Sequence, residues 1–147
     1  MKATEFQLIR QELLKTQKKM SELLGISLKA VQSFEQGWRI IPPYVERQAL
    51  FLLALKKGTQ GRLAPCWEVR HCPPRVREVC PAWEFKSGHL CWFINGTVCQ
   101  GMARGRWSEK MVLCRKCEVF LSFMKHWGLY AGHRSSQRRK KKMENKS

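Results

Sequence analysis

Seven cysteines lie between Cys66 and Cys117, spaced Cys66-x5-Cys72-x7-Cys80-x10-Cys91-x7-Cys99-x14-Cys114-x2-Cys117. Four of the six tryptophans share that span. In a reducing compartment such thiol density points to metal rather than to disulfides. Only Cys114 and Cys117 form the tight C-x2-C knuckle that clasps a single ion. Cys72 and Cys80 are each followed by proline, which removes an amide donor and bends the chain away from a ligating sulfur. Cys66 and Cys91 are each followed by tryptophan, an apolar screen against water. Three readings stand open: an iron–sulfur cluster on four of the seven cysteines, a structural zinc site with His71 or His89 as a further ligand, or free or disulfide-paired thiols without metal.

Around this segment the composition changes twice. Residues 1–61 contain no cysteine, and 62–133 hold all seven. Residues 134–147 are a basic stretch, RRKKK among them, that lacks apolar periodicity and is expected to be disordered. Two glycines and a proline in KKGTQGRLAP mark the first boundary. The cysteine-rich stretch is too short of apolar periodicity to hold together unaided, so a metal or disulfides must staple it. WEFKSGHLCWFINGTVC predicts a hairpin with turns at Ser87-Gly88 and Asn95-Gly96, and EVFLSFMKHWGL predicts a closing helix.

In residues 1–61 the apolar positions keep helical spacing. Phe6, Ile9 and Leu13 give a first helix, and Met20, Leu23 and Leu24 a second capped by Thr16. Gly25 ends that helix, Ser27 caps the next with Val31 and Phe34 inward, and Pro42-Pro43 open a fourth. The predicted fold is mainly α: a four- to five-helix bundle with a helix-turn-helix, then a small irregular Cys-rich α+β unit.

On a 20-residue frame from Gln17, the turn glycine is ninth (Gly25), the inward valine fifteenth (Val31), and Ser21 takes the fifth place, usually alanine. With Glu35, Gly37 and the following IPP, the stretch from Phe6 to about Leu55 resembles the phage-repressor (XRE) helix-turn-helix family. That resemblance implies DNA binding, with Gln17 on a phosphate, Lys29, Ala30, Gln32 and Ser33 on the outward face of the recognition helix, and Arg39 as a phosphate clamp. It also implies a homodimer. The order CW-x4-CP-x6-CP, then CWF-x2-GT-x-C-x-G, then C-x2-C, resembles the two-CW domain of bacterial regulatory proteins. This second resemblance implies a cytoplasmic module with a metal or cluster on Cys66, Cys72, Cys80, Cys91, Cys99, Cys114 and Cys117, without saying which of them ligate.

The net charge of +17 favours polyanionic partners. The longest apolar run, Ala49 to Leu55, is too short to cross a bilayer, so no membrane partner is expected. No nucleophile–base pair, phosphate loop or H-x-E deaminase signature occurs, and an enzyme is not expected. The sequence therefore reads as a DNA-binding transcriptional regulator whose Cys-rich module senses redox state. The alternative is a redox-responsive adaptor without specific DNA binding.

Overall fold

The computed structural model describes residues 1–58 and 64–129. The first boundary near residues 61 and 62 and the basic stretch 134–147 lie outside them. The chain is mainly helical, with one small two-stranded sheet.

Helix α1 (Ala3–Glu12) buries Phe6 and Ile9, and Leu13 follows them inward. Helix α2 (Gln17–Leu24) starts where the Thr16 side chain accepts a hydrogen bond from Lys19 N at 3.1 Å. It ends at Gly25, φ 62°, a left-handed residue that lets Ile26 N reach Ser21 O at 3.0 Å. Ser27 then caps α3 (Leu28–Glu35) by accepting from Ala30 N at 3.0 Å. The same closure recurs beyond α3, where Gly37 has φ 75° and Trp38 N bonds Ser33 O at 3.0 Å. Helix α4 (Pro43–Lys57) begins at a proline, whose missing amide hydrogen costs nothing in a first turn. Leu23 is 41% exposed, not buried as its spacing suggested, because α3 and α4 cover α2 on the side of Met20, Ser21 and Leu24.

Three short helices follow: α5 (Cys66–Val69), α6 (Pro74–Glu78) and α7 (Pro81–Glu84). Strands β1 (Val98–Cys99) and β2 (Met102–Ala103) pair antiparallel, with Val98 opposite Ala103 and Cys99 opposite Met102. Positive φ at Gln100 (55°) and Gly101 (73°) makes the tight primed turn that suits hairpin twist. The hairpin thus lies C-terminal to its predicted place. Gly88 serves close packing instead, since a Cβ there would stand 2.5 Å from Pro65 Cβ.

Helices α8 (Trp107–Cys114) and α9 (Glu118–His126) complete the described chain. Their core centres on fully buried Trp92, whose ring meets Phe120 at 5.7 Å, Trp127 at 5.8 Å and Trp107 at 6.4 Å, all steeply inclined. The buried apolar cluster runs without a break from Phe6 to Leu129. Polar ties cross the same junction. Arg115 holds Glu5 and Glu46, and Arg47 Nη2 donates to Phe93 O at 3.0 Å while Phe51 stacks on the Phe93 ring at 4.5 Å. No helix among the described residues is long and apolar enough to cross a membrane.

Candidate cysteine-lined site and candidate nucleic-acid face

The local grammar of the short helices brings the cysteines together. Pro65 precedes α5 so that Cys66 starts its first turn, and Cys66 N donates to Gly88 O at 3.1 Å. Cys80 sits just before Pro81, the first residue of α7, and Cys99 closes β1. Cys72 follows α5, where Arg77 Nε bonds its carbonyl at 2.9 Å.

Five thiols, those of Cys66, Cys72, Cys80, Cys91 and Cys99, line one cavity of about 340 Å³. Trp67 and Trp83 wall it, edge to face at 4.9 Å, and Arg70 and Arg77 stand in its lining. Among the described residues, no carboxylate lines it. Cys114 and Cys117 are not among its lining residues: Cys114 is buried at the end of α8, where Cys99 and Lys110 act on it electrostatically, and Cys117 is half-buried before α9. All seven cysteines are free thiols.

Among the described residues, no three His, Cys, Asp or Glu side chains converge on one point as a single ion requires. Zn–S bonds of about 2.3 Å demand thiolates nearly in contact. A polynuclear centre takes one thiolate per iron and spreads its ligands around a cavity, so it does not require the sulfurs to meet at one point. His71 is exposed and neither it nor His89 lines the cavity.

Burial and a shared hydrogen bond push Cys72, Cys91 and Cys99 above the ordinary thiol range. A hydrogen bond with Cys91 pulls the Cys66 thiol below its ordinary range and pushes Cys91 well above it, burial adding to the latter. Burial raises Cys72 and Cys99, and raises Cys114 to about 11. Binding a metal must therefore displace protons.

Lys110 opposes that rise. Its side chain is 1% exposed, and its Nζ donates a short hydrogen bond to Thr97 Oγ1, itself buried in the cavity wall. Cys99 Sγ approaches the same hydroxyl at 3.9 Å. The ammonium's Coulomb attraction works to lower Cys66, Cys91, Cys99 and Cys114. A buried ammonium costs several kcal/mol of lost hydration unless an anion answers it. Sequence reasoning passed over Lys110, yet a signal was there. Trp107, Lys110, Met111 and Cys114 follow i, i+3, i+4, i+7, which places a lysine inside an apolar stripe.

In the helix-turn-helix, Lys29, Gln32 and Arg39 are exposed on and beyond α3. Ala30 and Ser33, expected on the same outward face, are instead buried at 8% and 9%. Helix α3 packs against both α1 and α2, so its inward arc is wide enough to take them with Val31 and Phe34. Gln17 Nε2 donates to Glu35 at 3.0 Å, inside the ion pair that Arg10 makes with Glu35 at 2.5 and 3.0 Å. Arg39 lies over the Phe34 ring at 5.7 Å, beside Trp38 and Ile40, which are 77% and 92% exposed.

Comparison with protein-family models, curated proteins and solved structures gives no match to this chain.

Proposed function

We propose that this protein is a DNA-binding transcriptional regulator of the phage-repressor helix-turn-helix type, carrying a two-CW module that holds an iron–sulfur centre. The observation that carries the reading is the α2–α3 unit. Two eight-residue helices meet through a left-handed glycine, and Lys29, Gln32 and Arg39 are exposed on the second helix and at its exit. That geometry suits a helix lying in the major groove, with Gln32 on adenine and Lys29 on guanine or a phosphate. The charge of +17 supports the same partner.

Cys66, Cys72, Cys80, Cys91 and Cys99 are the residues from which the four ligands would come, with zinc as the alternative metal. Such a centre supplies a one-electron or oxygen-labile group. Arg115, between Cys114 and Cys117, ties the Cys-rich part to α1 and α4 through Glu5 and Glu46. A cytoplasmic homodimer without enzymatic activity completes the reading, its two α3 helices about 34 Å apart on successive major grooves.

A second reading, a redox-responsive adaptor, is favoured by exposed Trp38 and Ile40 next to Arg39, an apolar pair that suits a protein partner. Selection from a random duplex library separates the two. Enrichment of one motif by the parent, lost in Gln32→Ala, supports the regulator; enrichment of no motif excludes it and leaves the adaptor.

A further inference from the structure

We infer that Lys110 is the positioned counter-charge that makes the cysteine cavity select a net-negative, thiolate-ligated centre; this rests on the proposed centre in that cavity. Three observations converge. Lys110 is 1% exposed and its Nζ is bonded to the Thr97 hydroxyl. Thr97 lines the cavity, and Cys99 Sγ approaches the same hydroxyl at 3.9 Å. Arg70 and Arg77 add positive charge to the lining, and no carboxylate among the described residues offsets it.

The charge balance gives the lysine its role. When four of the thiols become ligands, four protons leave and a core carrying fewer positive charges enters. The site passes from neutral to negative, and a fixed cation held behind it favours every such step. A two-thiolate, two-histidine zinc site would end neutral and gain little from it. The same cation favours the more negative, reduced form of a redox centre, so it also raises the potential.

The experiment is anaerobic reconstitution of the full-length protein with ferrous iron and sulfide, for the parent, Lys110→Met and Lys110→Arg. Bound iron and sulfide are assayed after desalting and the midpoint potential is titrated. Lys110→Met should hold iron about tenfold more weakly or worse, the scale of losing a partner behind a metal ligand, and its remaining centre should have a lower potential. Lys110→Arg should restore both. Parent-like iron affinity and potential in Lys110→Met would overturn the role of Lys110 while leaving the centre standing. A parent that takes up no iron overturns the centre and, with it, this inference. If Lys110→Met does not fold, Thr97→Val removes the hydroxyl that seats the ammonium, and the same two readouts then decide.

Discussion

The guanidinium of Arg115 meets the carboxylate of Glu5 through two parallel hydrogen bonds of 2.9 Å each, joining residues 110 apart in the chain. The same guanidinium reaches Glu46 at 2.6 Å, and the N-terminal ammonium approaches Glu46 at 3.3 Å. Both carboxylates are largely buried, at 17% and 9% side-chain exposure. The two ends of the described chain are thus fastened through the loop between Cys114 and Cys117.

Arg115→Ala leaves two half-buried carboxylates facing each other without their shared cation. The expected loss is about 3 kcal/mol of folding stability, within the range for breaking a partly buried ion pair. Urea denaturation of parent and variant measures it; a loss below about 0.5 kcal/mol, the size of an exposed pair, would show that the fastening contributes little.

Gly88→Ala tests the close approach beneath the cavity. A methyl group there would stand 2.5 Å from Pro65 Cβ, 2.8 Å from Trp67 Cζ3 and 3.0 Å from Cys66 N. Relief requires moving α5, and overpacking of this kind costs about 1–3 kcal/mol. Thermal melting should show the loss, and the displaced Cys66 should react faster with iodoacetamide than in the parent. Unchanged melting would mean the segment yields freely.

Substitutions on α3 should separate by burial. Gln32→Ala and Lys29→Ala remove exposed side chains and should leave the melting temperature near the parent's. Gln32→Ala should reduce operator affinity by about 1–3 kcal/mol, as for a bidentate base contact. Ser33→Leu forces volume into a buried position and should destabilise the fold instead. Gel-shift titration alongside calorimetry distinguishes the two outcomes.

Alkaline pH should act through Cys114. Burial raises its thiol to about 11, so the folded chain retains a proton that the unfolded chain releases at the ordinary thiol value. Its contribution is fully present below that ordinary value and declines as pH climbs toward 11. The loss across that window is about 3 kcal/mol. Cys114→Ala should flatten this decline in denaturation curves recorded at several pH values; a parent and variant that decline in parallel would assign the effect to other groups.

Much of the helical part was legible because its signals are local. Thr16, Gly25, Ser27, Gly37 and Pro43 each act on the chain within a turn of themselves, and the apolar spacing of Phe6, Ile9 and Val31 survives into the core. Where it failed, the cause was tertiary. Ala30 and Ser33 are buried because two helices crowd α3, which no single-helix pattern states. In the cysteine segment the spacing alone could not tell which sulfurs meet. Residues as distant as Cys66 and Cys99 line one cavity, reached through three short helices and a short hairpin, whereas the tightest pair, Cys114 and Cys117, is not in its lining. Lys110 escaped notice because lysines on amphipathic helices usually face water.

The indoles are distributed so that the chain carries its own optical gauges. Trp67 and Trp83 form the cavity wall at 4.9 Å from one another, close enough for their near-ultraviolet transitions to couple. An absorbing occupant would quench their emission and alter that coupled dichroism. Trp38, 77% exposed beside the outward end of α3, sits in water and emits at longer wavelength. Over the common background of buried Trp92, Trp107 and Trp127, loss of emission from the cavity indoles and a blue shift at Trp38 would report filling of the cavity and contact at α3 separately, without any attached dye.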